Sequence, residues 1–92
     1  MSCTGKGEVF MQHVAAHSVA ARMSLAAMSV SEASTDVVHK VLPPNSGGLI
    51  AINNKGDMVM DFNTSGMLRL ACDHTGQGYV AIWEETVSVA SL

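Results

Sequence analysis

Gly47-Gly48-Leu49-Ile50-Ala51-Ile52-Asn53-Asn54-Lys55-Gly56-Asp57-Met58-Val59-Met60-Asp61-Phe62 is the stretch in which the chain changes from a helical to an extended hydrophobic period. Leu49 to Asn53 reads as one arm of a β-hairpin, Asn54-Lys55-Gly56-Asp57 as its turn and Met58 to Phe62 as the returning arm. Side chains alternate across a strand, so Met58, Met60 and Phe62 share one face and Val59 and Asp61 the other. The sheet is therefore expected to have one well-buried side.

Working back toward the N-terminus, Pro43-Pro44 stops whatever helix precedes the hairpin, because proline lacks the donor and pushes the residue before it out of the helical region. That helix has a start signal in Ser29-Val30-Ser31-Glu32, a capping box in which the Ser29 hydroxyl takes the Glu32 N–H and the Glu32 carboxylate takes the Ser29 N–H. Its apolar stripe is Val30, Ala33, Val37 or Val38, and Val41 or Leu42, with the end near Leu42. Before it, Val9 to about Ala27 is rich in alanine and brings Phe10, Val14, Val19, Met23 and Ala27 round near helical spacing, which predicts one long helix. Glu8 falls in its first turn, where a negative charge suits the helix dipole.

Toward the C-terminus, Leu68 to Cys72 is a weaker extended segment, Asp73 to Gly78 is rich in turn residues, and Tyr79 to Trp83 is a short strand. Residues 84–92 read as a tail to a unit spanning 1–83. The fold class is α+β in one piece: two helices followed by an antiparallel β meander. Leu49 to Asn53 and Tyr79 to Trp83 are read as exposed edges that invite pairing with another chain.

Composition limits the partners. At 92 residues the chain is one small domain able to hide only about 60–65% of its unfolded surface. It is 48% hydrophobic, 14% charged and has a mean hydropathy of +0.26, too apolar for a disordered segment and too interrupted for a membrane span. Five Lys plus Arg and a net charge of -3 give no basic footprint, so neither nucleic acid nor an anionic membrane is an expected partner. Two cysteines, Cys3 and Cys72, form neither a Cys-x-x-Cys pair nor a disulfide framework, and no signal pattern opens the chain, which points to the cytoplasm.

Little conventional chemistry is visible. Gly5-Lys6-Gly7 lacks the Gly-Lys-Ser/Thr ending of a phosphate loop and the third glycine of a dinucleotide site, so no cofactor is predicted. On local grounds it is either a tight turn into the helix or a cradle in which N–H groups and the Thr4 hydroxyl hold an anion or a developing oxyanion. His13 and His17 are four apart on the expected helix. His39, His74 and Cys72 offer further donors, but no glutamate follows His13 to complete His-Glu-x-x-His, and no metal is predicted. Asp57 and Asp61 read as a turn residue and a strand residue rather than an acid–base pair. Ser2, exposed as an N-terminal residue once Met1 is trimmed, has the hydroxyl and amine of a self-activating nucleophile.

Four strings taken together go further. Ser2-Cys3-Thr4-Gly5-Lys6-Gly7-Glu8, Ser29-Val30-Ser31-Glu32-Ala33, Gly47-Gly48-Leu49-Ile50-Ala51-Ile52 and Phe62-Asn63-Thr64-Ser65-Gly66-Met67 resemble, in order and spacing, the C-terminal part of the plant-type L-asparaginase/isoaspartyl aminopeptidase family. The resemblance implies a hydrolase of the threonine N-terminal-nucleophile type, a precursor that cuts itself into two subunits held in an αββα sandwich. Its substrates are L-asparagine and β-aspartyl dipeptides. Thr4, Gly5, Lys6 and Gly7 then correspond to the family's Thr-Gly-x-Gly substrate-binding segment. The Thr4 side chain and Gly5 N–H would donate to the oxyanion, and Gly5 would also face the substrate's α-amino group. Lys6 stands at the variable position, its side chain without an assigned role, and Gly7 serves the turn into the helix.

On the same resemblance the chain starts after the nucleophilic threonine, after the second threonine that orients it, and after the Arg and Asp that hold the substrate. The first subunit and the N-terminal part of the second are implied as its missing partners. Ser2 then falls on the oxyanion strand and loses its candidacy as nucleophile. The expectation is a chain inactive by itself, complemented by those partners. The alternative is a non-catalytic interaction module that pairs with a full-length family member by strand addition.

Overall fold

The computed structural model describes residues 1–83 and the backbone of 87–89. Ser29 starts the second helical block as expected: Glu32 N–H donates to Ser29 Oγ and Ser29 N–H to Glu32 Oε1, both at 3.1 Å. The Ser29 N–H, together with the Ser29 hydroxyl, holds the Glu32 carboxyl below its ordinary 4.5. The helix α3, Val30–Asp36, runs on as a π-helical turn, Val37–Val41, closed by Leu42 N–H on the Val37 carbonyl at 3.0 Å. Leu42 itself is extended ahead of Pro43 (φ -73°, ψ 141°), so the stop falls where the proline pair places it.

The first helical block is broken in two, contrary to the single helix its composition predicts. A first strand, β1 (Ser2–Gly5), leads into α1 (Gly7–Gln12), and α2 (Ala15–Leu25) follows after a break. Val14 sits between them at φ 49°, ψ 53°, a left-handed conformation that a β-branched residue rarely takes. The reason lies in the phase of the core residues. At about 100° per residue, Phe10 and Val19 would lie on opposite sides of an unbroken helix. With the break, Phe10, Ala15 and Val19 all enter one core with Val30, Ala33, Val37, Val38, Leu42, Leu49 and Ala51.

Strand β2 (Gly47–Ile52) is the middle strand of an antiparallel sheet in the order β1-β2-β3, with β3 spanning Met58–Phe62. The hairpin turn is tied by Asn53 Oδ1, which accepts from the N–H groups of Lys55 and Asp57 at 2.9 Å, with Gly56 at φ 90°. The register pairs Leu49 with Asp61 and Ala51 with Val59 on the face that meets the helices, and Ile50 with Met60 and Ile52 with Met58 on the other. The buried side is thus the less apolar one. Leu49 and Ala51 are buried, whereas Ile50 is 49% and Ile52 62% exposed. A helical layer on one face and an open apolar face on the other is the layout that half of an αββα sandwich requires.

The remaining strands do not extend this sheet into a single meander. β4 (Arg69–Cys72), β5 (Gly78–Ala81) and β6 (Val87–Val89) form a second antiparallel sheet in that order. Asp73 builds their first turn as Asn53 builds the other: its Oδ1 accepts from Thr75 N–H, Thr75 Oγ and Gln77 N–H, and Gly76 takes φ 85°. Two expectations are corrected here. Val87–Val89 lies in what reads as a tail, yet it pairs with β5. β2 and β5 are central strands and not exposed edges, because β1 and β6 cover their second sides with main-chain pairing that short-range sequence pattern does not reveal. Among the described residues no helix is long and apolar enough to cross a membrane.

Candidate functional site

Thr4-Gly5-Lys6-Gly7 straddles the exit of β1 and the entry to α1. Thr4 pairs with Gly48 and Gly5 with Gly47, so two glycine main chains face each other across the end of the ladder. Neither could carry a side chain. Gly5 has φ +126°, and a Cβ there would lie 2.2 Å from the Ser46 carbonyl oxygen; Gly47 has φ +146°, and its Cβ would lie 2.1 Å from the Thr4 carbonyl oxygen. Lys6 N–H then donates to Ser46 O at 2.8 Å, and the Lys6 carbonyl accepts from Val9 N–H and Phe10 N–H to start the helix. The turn expected of both glycines rests on Gly5. Gly7, the first residue of α1, has open space around the position of a Cβ and needs no special backbone conformation.

By strand alternation Thr4 lies on the same face as Ser2, opposite the helices, and it is exposed. That face also lines a cleft of about 410 Å³, walled by Met1, Ile50, Ile52 and Met58 on one side and Leu70 on the other. The Lys6 side chain is exposed and caps nothing.

The support behind the glycine pair comes from Asn63, to which the sequence by itself assigns no role. Asn63 Oδ1 accepts from Ser46 N–H at 2.9 Å and Gly47 N–H at 3.1 Å. Asn63 Nδ2 donates to the carbonyls of Val38 at 3.0 Å and Pro43 at 2.9 Å. Ser46, 2% exposed, adds its own hydroxyl to Pro43 O. The only sequence signal was Asn directly after a strand, where it commonly marks a turn.

The other candidates disperse. His13 and His17 no longer share a helix, since α1 ends at Gln12, and His13 Nδ1 is engaged with the Val9 carbonyl at 3.0 Å. Among the described residues no three of His, Cys, Asp and Glu come together as a metal site. Cys3 and Cys72 are exposed and not joined. Desolvation raises the Cys3 thiol above its ordinary 9.0, with the N-terminal ammonium opposing, which leaves it protonated at neutral pH. Asp57 sits in the hairpin turn against Asn53 Nδ2, and Asp61 on β3 accepts from the fully buried Ser34 hydroxyl at 2.5 Å. They serve separate structural roles, as their spacing suggests.

A glycine-faced strand end opens into a short helix, and helices cover one side of the sheet. The asparaginase family model matches residues 1–82, and the chain belongs to that family. It is 48% identical over 71 residues to the isoaspartyl peptidase of Escherichia coli, covering 75% of this chain and 22% of that protein. The isoaspartyl peptidase of Salmonella typhimurium is 44% identical over 71 residues, 75% of this chain and 23% of the relative. The probable isoaspartyl peptidase/L-asparaginase 2 of Arabidopsis thaliana is 39% identical over 84 residues, 91% of this chain and 26% of the relative. The chain thus spans about a quarter of the length of these relatives.

Proposed function

We propose that these 92 residues supply the oxyanion side of an amidohydrolase that cleaves L-asparagine and β-aspartyl dipeptides in the cytoplasm. The observation that carries the reading is the Thr4–Gly5 end of β1, where Gly5 at φ +126° is pressed against Ser46 and Gly47. In that reaction a threonine hydroxyl, supplied by the N-terminal part of the β subunit, adds to the amide carbon. The carbonyl oxygen becomes an oxyanion, which the Thr4 hydroxyl and Gly5 N–H stabilise. Collapse, with the hydroxyl proton passing to the departing nitrogen, expels ammonia or an amino acid and leaves an ester, which water hydrolyses to aspartate and the restored threonine. Lys6 and Gly7 border the substrate through their main chain. The 92 residues by themselves hold no such nucleophile in this scheme and are expected to be inactive.

The test is aspartate release from a β-aspartyl dipeptide by the purified chain, alone and mixed with the separately expressed remainder of a family enzyme, its α subunit and the N-terminal part of its β subunit. Activity in the mixture alone is expected, with Thr4→Ala lowering it about 10²- to 10³-fold. Activity of the chain alone overturns the assignment of roles. The exposure of Ile50, Ile52 and Met58 on the open sheet face favours a second reading, a non-catalytic module pairing with a full-length family member. Stable association without turnover is its signature.

A further inference from the structure

We infer that Asn63 is a positioning residue for the oxyanion segment, holding the Gly5 main chain in place through Ser46 and Gly47; the inference rests on the reading of Thr4–Gly5 given above. An asparagine amide has two acceptor sites on its oxygen and two N–H donors. At Asn63 all four are used, the oxygen by Ser46 N–H and Gly47 N–H and the nitrogen by the Val38 and Pro43 carbonyls. The main chain of the same residue adds Asn63 N–H to Gly47 O at 2.9 Å and receives Asn45 N–H at 3.3 Å. One residue therefore fixes both ends of the Ser46–Gly47 segment to the π-helical turn and the loop after it.

That segment is what touches Gly5. Ser46 O accepts from Lys6 N–H at 2.8 Å, and the space where a Gly5 side chain would be is filled by Ser46 O and Gly47 Cα. A shift of the Ser46 peptide has to move the Gly5–Lys6 peptide with it. Displacing an oxyanion donor by about 1 Å can cost on the order of 10²-fold in rate. Neither aspartate nor an aliphatic side chain can replace the amide. A carboxylate offers only acceptors and would face the Val38 and Pro43 carbonyls with like charge, while an aliphatic group leaves four polar main-chain groups without their partner.

The test reads the coupling first and the chemistry second. In the isotopically labelled full chain, amide hydrogen exchange at Lys6 is compared with that of the β2–β3 ladder in the natural sequence and in Asn63→Asp. Lys6 exchange is expected to accelerate about tenfold or more while the ladder stays protected. Should Asn63→Asp fail to fold, Asn63→Ser takes its place, since it keeps one oxygen for the Ser46 or Gly47 N–H and adds no charge. Unchanged Lys6 exchange beside faster exchange at Ser46 and Gly47 overturns the inference, and so does equal acceleration of Lys6 and the ladder. In the complemented enzyme the same variant is expected to lower kcat about 10- to 10²-fold with KM within about twofold. Local acceleration with kcat unchanged overturns instead the oxyanion role of Thr4–Gly5. The exchange measurement decides the coupling whether or not the mixture turns over.

Discussion

Replacing Gly5 with alanine puts a methyl carbon 2.2 Å from the Ser46 carbonyl oxygen and 2.7 Å from Gly47 Cα, at a backbone φ of +126° that L-residues rarely adopt. The dihedral alone costs about 1–3 kcal/mol. Relief of the contact needs main chain to move, because Ser46 and Gly47 are fastened by Asn63. Together these give a destabilisation of roughly 3–5 kcal/mol, a large part of the marginal stability expected of so short a chain. Gly7, two residues on, is the internal control. Among the described residues an added Cβ there meets nothing within 4 Å, and the position is the first of α1, so Gly7→Ala gains roughly 0.5–1 kcal/mol. Thermal unfolding followed by circular dichroism should show Gly5→Ala melting on the order of 15–25 °C lower and Gly7→Ala a few degrees higher than the natural chain. A Gly5→Ala midpoint within about 3 °C of the natural one, or a larger loss for Gly7→Ala, would refute the reasoning.

Val14 holds a left-handed conformation while 55% exposed, so Val14→Gly should relieve strain without losing core contacts and raise the unfolding free energy by about 0.5–1 kcal/mol, seen as a higher urea midpoint at unchanged m; a lower midpoint would show that the break is held by the side chain. The Arg22 guanidinium, 2.7 Å from Asp36 Oδ2, holds the Asp36 carboxyl below its ordinary 3.8, with Lys40 adding to the effect. A depressed folded pKa stabilises fully above the unfolded value and is lost as pH falls through the folded one. Asp36→Asn should therefore be less stable than the natural chain near neutrality, with the difference shrinking in acid below 3.8; a gap independent of pH in denaturation curves would contradict the ion pairing.

The elements legible in the sequence are those closed by bonds between near neighbours. Ser29 and Glu32 are three apart and satisfy each other whatever the rest of the chain does, and Pro43 ends the preceding helix through its own ring. Asn53 and Asp73 each fold a turn onto their own following N–H groups. The Thr4–Gly5 segment was also visible, though as a string whose meaning came from resemblance. Local pattern favoured a turn over a cradle there.

What only the tertiary structure decided are the features in which partners lie far apart along the chain. The break at Val14 is imposed by the need to bring Phe10 and Val19 into one core, and its composition argues against it. The placement of β2 and β5 as central strands, and the pairing of Val87–Val89, depend on which strand covers which edge. The buried face of the hairpin is the one with Leu49, Ala51 and Asp61, since the helices and the Ser34 hydroxyl meet it there, leaving the more apolar face open. Asn63 acquires its role only when Val38, Pro43, Ser46 and Gly47 converge on one amide. Hydrogen bonds of such long reach leave no period in a sequence, because their geometry is fixed by packing and not by spacing.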